Sequence, residues 1–193
     1  MLIALSGPSG VGKDALLARM QELKRPLHYT VTVTTRPQRR DEREGVDYHF
    51  VSSSRFEEMA AKGELLERAR VYGYFYGVPK EQVKQALALG LDVIIKADVQ
   101  GAVTIKAVAP QALLIFLASP SMEELEERLR KRKTESGMDL SLRIETVFEE
   151  MKRLPLFDYV VVNRQGELDL AVAQIDAIIV AEKCRVNPRA VEL

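Results

Sequence analysis

The residues Gly7-Pro8-Ser9-Gly10-Val11-Gly12-Lys13 join a flexible backbone to one mobile cation, a combination suited to holding a polyphosphate. Glycines let the chain turn tightly with its N–H groups inward. The helix that follows offers the positive end of its dipole, and Lys13 brings an ammonium to the outer phosphates. Such P-loops ordinarily close on Ser or Thr, whose hydroxyl ligates Mg²⁺, whereas this chain has Asp14. A carboxylate there is repelled by phosphate with up to roughly 4 kcal/mol per unit charge at 4 Å and an effective dielectric near 20. Mg²⁺ and Lys13 offset most of that, and a carboxylate oxygen is itself an acceptable Mg²⁺ ligand.

Further along, Arg36, Arg39, Arg40 and Arg43 alternate with Asp41, Glu42 and Glu44. Taken alone, this is a solvated loop, and Tyr48 and Tyr76 are packing aromatics. Two guanidiniums can equally grip a phosphate through paired N–H donors while phenol hydroxyls fix its remaining oxygens. Lys96 stands two residues before Asp98 on an expected strand, so both side chains leave the same side. Two readings of Lys96 stay open: neutralising Glu67, or pointing to bulk water.

These residues need a scaffold. Strand-like runs at Leu2 to Ser6, Tyr29 to Thr34, Asp92 to Ala97, Ala112 to Leu117 and Tyr159 to Val162 alternate with helical periodicity, which predicts a parallel sheet covered by helices. Ser54 with Glu57 and Ser121 with Glu124 have capping-box spacing, and Gly63 and Gly90 stand where helices should stop. Between Thr34 and Asp92, short strand-like pieces at Tyr48 to Val51, Leu65 to Val71 and Tyr74 to Tyr76 surround one helix, as in an inserted β-rich lobe. The charged stretch Arg130 to Gly137 has the make-up of a lid, and Arg185 to Leu193 that of a loosely held tail.

A chain of 193 residues with 47% apolar content suits one domain with a substantial core. Lys plus Arg and Asp plus Glu each number 28, so bulk charge argues for neither a nucleic-acid nor a membrane partner. The single cysteine, Cys184, has no intramolecular partner for a disulfide and reads as a buried or half-exposed thiol. With no apolar run approaching the roughly 20 residues of a membrane span, a cytoplasmic location is expected.

In order and spacing, the P-loop, Thr34-Thr35-Arg36-Pro37-Gln38-Arg39-Arg40, Gly45-Val46-Asp47-Tyr48-His49-Phe50, Gly63-Glu64-Leu65-Leu66-Glu67, Tyr76-Gly77, Asp98-Val99-Gln100-Gly101, Arg132, Arg143 and Val162-Asn163 resemble the guanylate kinase family over nearly the whole chain. The resemblance implies an α/β fold: a P-loop parallel sheet covered by helices, with an inserted β-rich nucleotide-binding lobe and a lid. Its expected parts are a core at 1–33 and 91–183, the lobe at about 34–90, the lid at about 130–140 and a tail at 184–193. The implied reaction moves the γ-phosphoryl of ATP, with Mg²⁺, to GMP, giving ADP and GDP. Ser9, Gly10, Val11, Gly12, Lys13, Asp14, Arg132 and Asn163 then fall on ATP. Thr32, Arg36, Arg39, Tyr48, Glu67, Tyr76 and Asp98 fall on GMP. The catalytic set is Lys13, Arg36, Arg39, Arg132 and Arg143, and Asp14 and Asp98 hold Mg²⁺ directly or through water.

Two positions depart from the family. Val78 stands where a hydroxyl is expected in the guanine pocket, and Lys96 where an acid is expected. Gly-Lys-Asp in the P-loop also resembles ribose 1,5-bisphosphokinase, whose acceptor is a sugar phosphate. A noncatalytic guanylate kinase-like binding module is the third alternative. Oligomeric state is left open.

Overall fold

The computed structural model describes residues 1–71, 73–131 and 140–193. Its strands are β1 (Leu2–Ser6), β2 (Leu27–Tyr29), β3 (Thr32–Thr34), β4 (Tyr48–Phe50), β5 (Leu65–Val71), β6 (Tyr74–Pro79), β7 (Asp92–Lys96), β8 (Leu113–Ala118) and β9 (Tyr159–Val162), ordered β2-β7-β1-β8-β9 in a five-stranded sheet and β4-β3-β6-β5 in a four-stranded one. The chain falls into two compact units: Met1–Ala4, Pro26–Ala112 and Ala190–Leu193 in the first, Leu5–Arg25 and Leu113–Arg189 in the second.

Within the first unit, β2 (Leu27–Tyr29) pairs in parallel with β7 (Asp92–Lys96). The apolar run Val93, Ile94, Ile95 is fully buried, as expected of a parallel strand covered on both faces. The four-stranded sheet is mixed: β3 (Thr32–Thr34) runs parallel to β4 (Tyr48–Phe50) and antiparallel to β6 (Tyr74–Pro79), which forms a hairpin with β5 (Leu65–Val71). Helices α2 (Ser53–Ala61) and α3 (Lys80–Ala88) pack against β5, as does α4 (Val99–Val108).

Three expectations change here. A single strand over Tyr29 to Thr34 is in fact two. Thr30 N–H still bonds to Ile94 O of β7, but Val31 N–H turns to the Gln82 side chain, and Thr32 begins pairing in the other sheet. The α2 cap is Ser52, whose hydroxyl accepts Arg55 N–H at 3.2 Å, two residues before the expected Ser54. Strand β6 continues past Tyr76 to Pro79, so Val78 is a ladder residue opposite Glu67. The helix stops are as expected: Gly63 and Gly90, at φ 67° and 75°, follow α2 and α3 in the left-handed conformation that glycine adopts without a Cβ clash.

In the second unit, β8 (Leu113–Ala118) pairs in parallel with β9 (Tyr159–Val162). All six residues of β8 are buried. Helix α1 (Lys13–Glu22) packs on α7 (Leu168–Lys183), and α5 (Met122–Lys131) on α6 (Leu140–Met151). Ser121 caps α5 through Glu124 N–H, as its spacing predicts. Most of the expected lid lies outside the described residues. Cys184 is exposed rather than buried.

The expected loose tail is anchored within this unit. Arg189, 12% exposed, donates to Glu182 at 2.7 Å and pairs with Asp158 at 3.4 Å, while Tyr159 Oη donates to the same Glu182 at 2.8 Å. Among the described residues no helix is long and apolar enough to cross a membrane.

Candidate phosphate and acceptor sites

β1 (Leu2–Ser6) leads into a loop of the second unit whose glycines 7, 10 and 12 have φ of 139°, 84° and 100°. Closeness as well as backbone conformation demands glycine. A Cβ on Gly7 would lie 2.1 Å from Leu117 O, and one on Gly12 2.5 Å from Asn163 Nδ2. Gly12 is also the N-cap of α1 and carries no side-chain cap, so the first N–H groups of the helix are not covered by a capping side chain. Such a helix start favours an anion.

Lys13 folds back over the loop and donates to Gly7 O and, at 3.0 Å, to Pro8 O. These carbonyls hold the ammonium beside the helix start. Asp14 is exposed in the first turn of α1. From α6, Arg143, only 5% exposed, reaches Ser9 Oγ at 3.4 Å, so two residues far apart in sequence meet at the loop. Arg132 lies outside the described residues.

Asn163 meets the phosphate loop. Its buried amide donates to Val11 O at 2.9 Å, supporting the loop. Arg128 joins it, donating to Val11 O at 3.3 Å and to Asn163 O at 2.8 Å, with Glu124 bonded to the same guanidinium. Sequence reasoning missed Arg128, because Glu124 and Arg128 at i and i+4 have the signature of an ordinary solvated helix pair.

The acceptor residues gather on one face of the four-stranded sheet. Thr32 is in register with Tyr48, Thr34 with Tyr76, and Glu67 with Val78. Continuing that register puts Tyr48, Thr32, Val78 and Glu67 in one row across four strands, a span of roughly 14 Å at about 4.8 Å per strand. Tyrosine and arginine stand at one end and a buried acid at the other. A phosphate-bearing nucleoside has this polarity.

At the basic end, the Arg36 guanidinium lies 5.3 Å from the Tyr48 ring centroid and 5.9 Å from that of Phe50. The Tyr48 and Tyr76 rings meet edge on at 6.1 Å. Burial and then Tyr48 push the Tyr76 phenol above its ordinary pKa, so it stays a hydrogen-bond donor at neutral pH. Glu42 bridges this end: one oxygen takes Arg36 at 2.6 Å and the other takes Arg39 N–H at 2.9 Å. An acid already bonds to the guanidinium expected to grip phosphate. The side chain of Arg39 is exposed.

At the acidic end, Glu67 is 5% exposed and its carboxyl is pushed up to about 8, first by burial and then by Asp98. Asp98 caps α4 by accepting Gly101 N–H at 2.7 Å. Gly101 has no room for a side chain, since a Cβ there would lie 2.6 Å from Glu67 Oε2 and 2.9 Å from Asp98 Oδ1. Glu67 Oε2 and Thr32 Oγ1 are both buried without a hydrogen-bond partner. Such groups are costly and rare in a finished interior, and they are the natural marks of a recognition surface.

Lys96 donates to Tyr48 Oη at 2.9 Å. Neutralisation of Glu67 by Lys96 would draw that carboxyl's pKa down, whereas it stands well above the usual range. The ammonium thus has a contact at the tyrosine end of the row.

The guanylate kinase family model matches residues 1–182. The chain is 45% identical over 194 residues to guanylate kinase 2, chloroplastic/mitochondrial, of Oryza sativa subsp. japonica, covering 100% of this chain and 68% of that one. It is 41% identical over 187 residues to the guanylate kinase of Caldanaerobacter subterraneus subsp. tengcongensis, covering 97% and 90%. Guanylate kinase from Anaplasma phagocytophilum, a crystal structure, superposes with a TM-score of 0.77 at 30% identity, over 96% of this chain and 87% of that chain. A match of this extent, in sequence and in backbone, means that the chain belongs to the guanylate kinase family.

Proposed function

We propose that the protein is a nucleoside monophosphate kinase that transfers the γ-phosphoryl of ATP to GMP, giving ADP and GDP. The observation that carries the acceptor is the row across the four-stranded sheet. It runs from Tyr48, beside Arg36 and Tyr76, past the buried Thr32 hydroxyl to the buried Glu67 carboxyl, the last two both without partners. Guanine presents two adjacent N–H donors, at N1 and N2, which an ionised Glu67 accepts. Adenine presents an acceptor at N1, which cannot pair with the ionised Glu67 that guanine selects.

Phosphoryl transfer asks little covalent work of the protein. Positioning and charge neutralisation carry it. Backbone N–H groups of Ser9 to Gly12 and the start of α1 hold the donor phosphates. Lys13 releases its loop carbonyls to reach them, and Arg143, already at Ser9, adds a second cation. Arg36, Arg39, Tyr48 and Tyr76 hold the acceptor's phosphate, which displaces Glu42 from Arg36. Asn163 and Arg128 act by keeping Val11 and the loop in place. Arg132, in the proposed lid, completes the set of arginines on the transferred group.

The exposed Asp14 carboxylate in the first turn of α1 is a hard oxygen donor that fits Mg²⁺ carried by ATP. The ion, when bound, neutralises phosphate charge. We place the protein in the cytoplasm, in keeping with phosphate chemistry at an intracellular nucleotide pool.

The test is ADP release from Mg·ATP with GMP, dGMP, AMP or ribose 1,5-bisphosphate as acceptor, with Lys13→Met as control. Selective turnover with GMP, lost by about 100-fold or more in the control, is expected. Turnover with the sugar phosphate alone, or ATP binding without turnover on any acceptor, would sink the proposal.

A further inference from the structure

Lys96 is the last residue of β7. Its ammonium donates to Tyr48 Oη at 2.9 Å and lies 4.3 Å from the Tyr48 ring centroid. Arg36 lies 5.3 Å from the same centroid. One phenol is thus flanked by two cations.

From this arrangement we infer that Lys96 is a positioning residue for the acceptor's phosphate, acting through the hydroxyl of Tyr48. The inference rests on the reading of Tyr48 as part of the phosphate clamp. An ammonium has three donors and no acceptor, so it can only use a lone pair on the phenol oxygen. Arg36 is likewise a donor alone. The Tyr48 hydrogen is therefore directed to neither cation and remains available to an anionic oxygen. Donation into the phenol also polarises its O–H bond, which strengthens the bond that hydroxyl makes in turn. An acid at position 96 would do the reverse, accepting the Tyr48 hydrogen itself.

Lysine at position 96 thus lends its support to the phosphate end of the row, away from the base. Val78, fully buried in the row beside Glu67, contributes no hydroxyl to the base. Extra hold on the phosphate offsets that deficit without restoring a contact to guanine. The substrate class is unchanged, but the affinity is divided differently between its two ends.

A double-mutant cycle tests this. KM for GMP at saturating Mg·ATP is measured for wild type, Lys96→Met, Tyr48→Phe and the double variant, alongside competitive inhibition by guanosine, which has the base but no phosphate. Lys96→Met should raise KM about tenfold with kcat falling less than threefold. In the Tyr48→Phe background the same change should cost no more than about twofold, because its target hydroxyl is gone. Guanosine inhibition should move less than twofold, and Lys96→Arg should return KM to within about threefold of wild type. Equal penalties in both backgrounds, or guanosine affinity lost in step with GMP, would overturn the inference. Thermal midpoints check folding, and Lys96→Gln runs through the same cycle should Lys96→Met prove unstable. Absence of wild-type turnover with GMP is a separate outcome: it removes the functional reading itself, and this inference with it.

Discussion

Glu67 is the residue whose chemistry most constrains the acceptor site. Burial holds its carboxyl at about 8, and Asp98 pushes in the same direction, so the free protein carries it largely protonated at pH 7. Pairing with guanine N1–H and N2–H needs the ionised form. Binding must therefore release a proton below pH 8, and the apparent KM for GMP should fall by about eightfold between pH 7.0 and 8.5. Glu67→Gln should remove that dependence while raising KM. A flat KM in the wild type would show that Glu67 is not the group that reads the base. The stability term has its own sign. The folded protein binds this proton more tightly than the unfolded chain does, so the stability associated with the protonated carboxyl is present below the unfolded value near 4.5 and is lost as pH rises through about 8.

At the scale of the element, the amino-terminal turn of α4 is what places this carboxyl. Gly101 lies in that turn with Glu67 Oε2 and Asp98 Oδ1 crowding the position where a Cβ would sit. Its backbone conformation is ordinary for a helix, so alanine there is excluded by contact rather than by strain. Gly101→Ala should displace Glu67, lower stability by about 1–3 kcal/mol and raise KM for GMP at least tenfold. The same substitution should barely alter KM for ATP. An unchanged KM for GMP, measured with the stability of the variant, would mean that Glu67 is positioned by something other than α4.

On the larger scale of the whole molecule, the last turn of α7 closes the second unit over its own edge. Glu182, 3% exposed, is held by Tyr159 of β9 and by Arg189 of the tail. The hydrogen bond from Arg189 draws the Glu182 carboxyl below its usual range, against the opposing effect of burial. A lowered carboxyl contributes stability above its unfolded pKa and loses it as pH falls through the folded one. Arg189→Ala should therefore cost about 1–3 kcal/mol at neutral pH, with a smaller difference in acid and no change in KM for either nucleotide. Thermal melts of wild type and variant at pH 7 and pH 3 would decide it. A gap that does not shrink in acid would assign the effect to packing of the arginine stem instead.

Much of this molecule was legible from local pattern. Glycines at 7, 10 and 12 announce a phosphate loop because their left-handed backbone and close neighbours are demands that few other residues meet. Strands β1, β7 and β8 announce themselves as apolar runs because a parallel strand is buried on both faces. The order of motifs carried the family. What spacing does not encode is which partner a polar group chooses when several are within reach of the folded chain. Arg128 and Glu124 look like a surface pair, yet the guanidinium also holds Val11 and Asn163. Lys96 had two equal readings, neutralising Glu67 or facing water, and the tertiary structure adds a partner that neither named, Tyr48, across 48 residues of sequence. Periodicity is a property of neighbours along the chain and can be read there. Charge pairing and desolvation depend on distances through space, which exist only once the sheet has brought β4, β7 and their loops together.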